Sequence, residues 1–247
     1  MDSKQVTKEI NSVIRPILKE NGFDKYTGRT YWRYHSDRID ILNFQSFNSY
    51  NADVMGCTTF SFAVNLATFM NYIPFETQIK EKNGLKRPEE YQGHFRSGIT
   101  KDFEQKEFPR ENIWFIDNAG KYLSTAVSDC KRQIEQNAFE WYKQFENREN
   151  VMRILLEDQI DMNGTWGFGN KDSYSRNRLI AFVANEMREY EIALKYFDKV
   201  KSYLNEQIES RENERHWKDY VELDKKRLQE IQRTINKIKT THNNGYK

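Results

Sequence analysis

His94 and Arg96 stand two residues apart in QGHFRSGIT, a spacing that puts both side chains on one face of an extended chain. A guanidinium beside an imidazole on a strand is anion-binding chemistry. Gln45 and Asn65 interrupt otherwise apolar alternations in two neighbouring segments, and a polar group inside such a run needs hydrogen-bond partners. Together with Asn43 they could complete a polar, ligand-binding pocket around His94 and Arg96. The competing reading pairs Arg96 with a local carboxylate such as Asp40 and leaves His94 on the surface.

Other chemistries find less support. A metal-dependent nuclease needs clustered carboxylates and a lysine to hold a divalent ion and activate water. Asp40 can supply one carboxylate, but Ser61-Phe62-Ala63 stands where the acidic-x-Lys triplet belongs, and Glu104-Gln105-Lys106 falls in a connection. The stretch from Lys25 to Arg38 interleaves cations with Tyr and Trp, a pattern able to stack and neutralise single-stranded nucleic acid. A formal net charge of only +2 favours instead a strand with a charged, exposed edge. The sequence carries no phosphate loop, nucleophile elbow, His-Glu-x-x-His helix or dinucleotide fingerprint. Cys57 and Cys130 match no metal or redox spacing and read as free thiols of a reducing compartment. No catalytic residue, metal ligand or cofactor is assigned.

Helices and strands must position these residues. Val6, Ile10, Val13, Ile14, Ile17 and Leu18 mark a helix over 3–21, bent at Pro16 and stopped by Gly22. A three-stranded antiparallel meander follows over 30–35, 39–47 and 58–69. The first strand sets Trp32 and Tyr34 against Tyr31, Arg33 and His35. The second sets Ile39, Ile41, Asn43, Gln45 and Phe47 against Asp40, Leu42, Phe44 and Ser46. The third sets an apolar face of Phe60, Phe62, Val64 and Leu66 against a mixed one of Ser61, Ala63, Asn65 and Ala67. The apolar face should meet the first helix, and the mixed face should meet something else. The stretch 48–56 reads as a loop and 71–91 as a long mobile one. A fourth strand is expected over 92–100 and a fifth over 113–117. Helices are expected over 119–146, 151–159, 172–187, 191–209 and 213–239. The breaker between the second and third of these is MNGTWGFGNK, with Gly164, Gly167 and Gly169. The last helix carries a seam of Trp217, Val221, Leu228, Ile231, Ile235 and Ile238, to be met by Ala193, Phe197, Val200, Leu204 and Ile208. At ~1.5 Å per residue it runs roughly 40 Å, longer than its neighbour, so it must overhang, dock on the sheet domain or pair with another chain, which would allow a homodimer.

The order of pieces resembles a bacterial family known only as domain of unknown function 4304. The residues that carry the likeness are LKENGF, GRTYWRY, IDILNFQSF, TTFSFAVNLATF, HFRSGI and NIWFID, over roughly 5–145. Ala67 stands where the family is expected to favour glycine. The resemblance implies an α+β fold and supplies no activity. A second likeness, of AFVANEMREYEIALKYFDKV to the middle of a tetratricopeptide repeat, occurs in one copy and reads as a helical hairpin rather than a repeat array.

The sequence thus predicts an α+β protein. An N-terminal helix packs on an antiparallel β-meander of about five strands, and a C-terminal helical bundle follows. The expected domains are 1–147 and 148–247. The expected function is a non-catalytic binding module for another protein, of the immunity or antitoxin kind. The alternatives are a small-ligand binder or enzyme using Gln45, Asn65, His94 and Arg96, and, further off, a nuclease. The N-terminus has no apolar signal core, and no window approaches the ~18 apolar residues that span a bilayer. The expectation is a cytoplasmic protein with no membrane or nucleic-acid partner.

Overall fold

The structure, a computed structural model, describes residues 1–75, 77–157 and 165–244. Two compact units divide the chain. One comprises Met1–Glu146 and Asp161–Gly167, the other Asn147–Ile160 and Phe168–Lys247.

The first unit opens with α1 (Ser3–Val13) and α2 (Arg15–Glu20). Asp2 and Gln5 form a reciprocal capping box, each side chain accepting the other's backbone N–H at 2.8 Å. Pro16 sits in the first turn of α2, where a missing N–H costs least, and Ile14 between the two helices keeps a helical backbone and donates to Ile10 at 2.9 Å. Gly22, with φ +84°, turns the chain out of α2, and the buried Phe23 returns its N–H to Leu18 at 2.9 Å.

Five strands form one antiparallel sheet in the order β1-β2-β3-β4-β7: β1 (Lys25–Thr27), β2 (Thr30–Tyr34), β3 (Arg38–Ser46), β4 (Phe62–Met70) and β7 (Phe95–Ile99). The strand number and the α+β class agree with the sequence reading, but one strand differs. The fifth strand is β1 at the outer edge, whereas the stretch expected over 113–117 contributes a single bridge, Trp114 to Phe62. Lys25–Thr27 is too short to show an alternation. Trp114 instead buries its ring against Phe62 at 5.6 Å and donates its indole N–H to Asp129 at 3.0 Å.

The apolar face does meet the first helix. Tyr31 on that face donates to Asn11 of α1 at 2.5 Å, and the rings of Tyr31, Phe44, Phe62 and Trp114 follow one another across the sheet. The rest of this face is covered by α4 (Leu123–Gln133), a π-helical turn (Ile134–Ala138) and α5 (Phe139–Lys143), through Tyr142 and Phe145.

The mixed face is covered at its two ends. At one end Trp32, Ile39, Ile41, Ala67 and Phe69 pack with Phe75 and Ile79. The stretch expected to be a mobile loop is tied down here. Trp32 donates to the Pro88 carbonyl at 2.8 Å and Tyr34 to that of Lys86 at 2.7 Å. That stretch also forms the small hairpin of β5 (Glu81–Lys82) and β6 (Leu85–Lys86). At the other end Phe47, Ala52, Ala63, Phe108 and Ile113 cluster under α3 (Ser49–Met55). This helix was expected to be a loop. Its cap and its stop are both written in the sequence: Asn48 accepts the Asn51 N–H at 2.8 Å, and Gly56 takes φ +69°.

The second unit contains α6 (Arg148–Leu156), α7 (Tyr174–Glu186), α8 (Tyr190–Arg211) and α9 (Lys218–Asn244). Ala193, Phe197, Val200, Leu204 and Ile208 of α8 are buried, as are Val221, Ile231, Ile235 and Ile238 of α9, whereas Leu228 of the expected seam is half-buried. Trp217 lies just before α9 in a 3-10 turn, with the Arg211 guanidinium 4.8 Å above its ring. In the hairpin of α7 and α8, Ala184, Ala193 and Phe197 are buried and Phe182 meets Phe197 edge to face at 5.1 Å. Gly164 and the expected end of α6 at Gln159 lie outside the described residues.

Candidate functional site

The strand register determines what each polar residue of the sheet can touch. Thr30 faces Asn43, Asn43 faces Asn65, and Asn65 faces Gly98, so a polar row crosses four strands between the two apolar covers. Within it Asn43 donates to Thr30 Oγ1 and Asn65 to Gln45 Oε1, both at 2.8 Å. Gln45 and Asn65 are thus brought together, in a shallow and solvent-facing position.

His94 and Arg96 lie apart from that pair. His94 is buried; its Nδ1 accepts the Met70 N–H at 2.9 Å and its ring lies 4.9 Å from Phe69 and 5.9 Å from Phe75. Arg96 is ion-paired with Glu90, its Nε donating to Glu90 Oε1 at 3.1 Å. A local carboxylate does take the guanidinium, but it is Glu90 rather than Asp40. Asp40 is fully buried and engaged elsewhere. It accepts from Arg33 at 2.9 and 3.0 Å and from Thr68 at 3.1 Å, and it contacts His35 at 2.8 Å and Arg38 at 3.4 Å. Gln45 and Asn65 thus bond each other, while His94 and Arg96 are engaged with Met70 and Glu90.

A concavity opens on the other side of β7. A cleft of about 450 Å³ lies between the strand and the π-turned helix. Ser97 and Gly98 form one wall, and Gln133, Asn137, Glu140 and Gln144 form the other. Ser97 is small, which leaves the gap, and Trp141 at the base donates its indole N–H to Thr165 at 3.1 Å. A π turn widens a helix by one residue and recurs at functional positions. Here it places Asn137 so that its amide donates to the Gln133 carbonyl at 3.2 Å and to Gln133 Oε1 at 2.8 Å. These bonds tie the two amides of this wall to each other, with Gln133 buried and Asn137 exposed. Glu140, the one ionisable group of these walls, is ion-paired with Lys143 at 2.6 Å. Gln133, Asn137, Glu140 and Gln144 follow spacings of four, three and four, a polar stripe along one face of the helix. That stripe is the signal in the sequence that points to this wall.

β7 is also the edge of the sheet. Arg96 and Trp166 exchange two backbone hydrogen bonds on its outer side, at 2.7 and 2.8 Å. Alternation along an antiparallel strand then turns the N–H and C=O of Gly98 outward too, beside the cleft. Trp166 is the one described residue that bridges to this outer side.

The thiols are not poised for nucleophilic work. Burial pushes the pKa of Cys57 up and that of Cys130 well up, the latter with help from the neighbouring Asp129 charge. Among the described residues no group of three or more His, Cys, Asp and Glu could hold a metal ion, and no helix is long and apolar enough to cross a membrane.

A family model described as Domain of unknown function (DUF4304) matches residues 14–144. No curated protein and no solved structure matches the chain. The family match covers more than half of the chain and takes in the sheet, the cleft and the π turn: the protein belongs to the DUF4304 family.

Proposed function

We propose that the chain is a non-catalytic binding module, that its partner is another protein, and that the partner docks along the β7 edge. The observation that carries this reading is the outward backbone of Gly98, next to a hydrogen-bonding cleft and in line with the pairing that Trp166 makes at Arg96. An edge of this kind templates an added strand, whose main-chain bonds supply affinity while neighbouring pockets supply specificity. The cleft walls offer donors and acceptors but no activated acid, base or nucleophile. An immunity or antitoxin role is one form such a module takes, by fold-level analogy.

A second reading is a small-ligand site in the same cleft, whose volume falls in the range of about 300–1,000 Å³ common for ligand pockets. One experiment separates the two. The chain and its Gly98→Pro variant are used as bait in host lysate, with bound proteins and small molecules identified by mass spectrometry. Proline removes the outward N–H and is tolerated on an edge strand. A stoichiometric protein held by the wild type and lost by Gly98→Pro is the expected result. A retained small molecule with no protein would overturn the first reading in favour of the second.

A further inference from the structure

We infer that α9 pairs with α9 of a second copy of this chain, antiparallel and about a two-fold axis level with Leu228. The pairing forms through ion pairs of Asp219 with Lys237, Glu222 with Arg233 and Lys226 with Glu230. It goes beyond the proposed function and rests on different residues. Three observations carry it.

The first is an exposed stripe of charge. At about 100° per residue, Asp219, Glu222, Lys226, Glu230, Arg233 and Lys237 fall within about 40° of one direction around the helix. All six are exposed, whereas Val221, Asp224, Ile231, Ile235 and Ile238 on the opposite side are buried. The ion pairs that α9 makes inside the chain use other positions, Lys225 with Glu212 at 2.8 Å and Arg227 with Asp224 at 2.7 Å.

The second is the order of signs. From Asp219 to Lys237 the stripe reads acid, acid, base, acid, base, base. Reversed in direction and in sign it is the same series, so an antiparallel copy meets an opposite charge at every position, and a parallel one meets like charges. The spacing agrees. Asp219 and Lys237 lie nine residues either side of Leu228, Lys226 and Glu230 two, and Glu222 and Arg233 six and five. A two-fold axis there forms each pair twice and sets each flank of the helix against the same flank of its copy. Asp219 and Lys237 share one flank of the stripe, and Glu222 and Arg233 share the other.

The third is that a single helix leaves the pattern unsatisfied. Asp219 and Glu222 are three residues apart and Arg233 and Lys237 four, spacings at which like charges repel. The helix dipole accounts for Asp219, in the first turn. Its reach is about one turn, and Arg233 and Lys237 stand seven or more residues before the end of α9 at Asn244. A second copy brings each acidic pair to the basic pair of the other chain. Exposed ion pairs are individually weak and are screened by salt, so the dimer should be salt-sensitive.

The test is sedimentation equilibrium of the full chain in about 0.1 M and about 1 M sodium chloride, where the screening length falls from ~10 Å to ~3 Å. The expected result is a species of twice the 29.7 kDa chain mass at low salt that dissociates at high salt. Lys226→Glu and Glu230→Lys each turn two of the six pairs repulsive, and each should weaken association about tenfold or more. An equimolar mixture of the two variants makes opposite charges meet again at both pairs, and should associate as the wild type does. The double variant should do the same. Circular dichroism checks that each variant keeps its helices. A wild type that stays monomeric at low salt would overturn the inference. So would a dimer that survives high salt and both reversals, or a mixture of the two variants that stays monomeric.

Discussion

The hydroxyl of Tyr142 donates to the backbone carbonyl of Ile41 at 2.5 Å, joining the end of α5 to the centre of the sheet across 101 residues of chain. Tyr142 is fully buried against Phe23 and Trp141. The bond therefore both satisfies a buried phenol and clamps the helix that forms one wall of the cleft. Tyr142→Phe keeps the ring and deletes the bond, at an expected cost of about 1–3 kcal/mol. Urea denaturation of the two proteins measures it; an unchanged midpoint would mean the clamp is not formed in solution.

The close approach of Gly93 to Ala67 predicts a compensating pair. A Cβ on Gly93 would lie 2.6 Å from the Ala67 Cβ, well inside contact distance. Gly93→Ala should therefore destabilise by about 1–3 kcal/mol, as overpacking does. Ala67→Gly in the same chain should restore most of the loss, because it removes the opposing atom. A thermal-melt double-mutant cycle reads the coupling, and strictly additive effects would contradict the contact.

Asp40 anchors two arginines at the hairpin of β2 and β3. Its carboxylate is fully buried, while Arg33 and Arg38 stay largely covered around it. Asp40→Asn would leave those guanidinium charges without their buried counter-ion, at an expected cost of about 3–5 kcal/mol. A chemical-denaturation curve superimposing on the wild type would show that the cluster carries no net stability.

Burial sets the alkaline limit. It pushes the Tyr31 pKa up to about 12 and that of Tyr142 well above its ordinary value of 10. A pKa raised in the folded state means that the unfolded chain loses its proton first. The stability tied to these phenols is thus complete below pH 10 and is lost as pH rises toward 12. The melting temperature should fall steeply over that window. In Tyr31→Phe the fall should be shallower, although the variant starts lower because the bond to Asn11 is gone. Identical slopes for the two proteins would rule out the Tyr31 contribution.

Much of this protein was legible in its residues alone. The two-residue alternation separated Trp32 from Tyr31 in β2, Asn43 and Gln45 from Leu42 and Phe44 in β3, and Asn65 from Val64 and Leu66 in β4, and the strand register then joined these faces across the sheet. The spacing of Ala193, Phe197, Val200, Leu204 and Ile208 marked the seam that α9 covers. Both patterns are local, and burial of an apolar face enforces them.

Tertiary structure decided who meets whom. Arg96 found Glu90 because the polar stretch before β7 folds back over the sheet, and a face assignment carries no information about that path. His94 shares a strand with Arg96, yet the aromatic cover of Phe69 and Phe75 turned it into a buried acceptor for the Met70 N–H. The stripe of Gln133, Asn137, Glu140 and Gln144 was present in the sequence, but it became a cleft wall only when the small Ser97 lay opposite and the helix took its π turn. Periodicity specifies the direction in which a side chain points. Strand register and long-range packing specify what it finds there, and the candidate site depends on both.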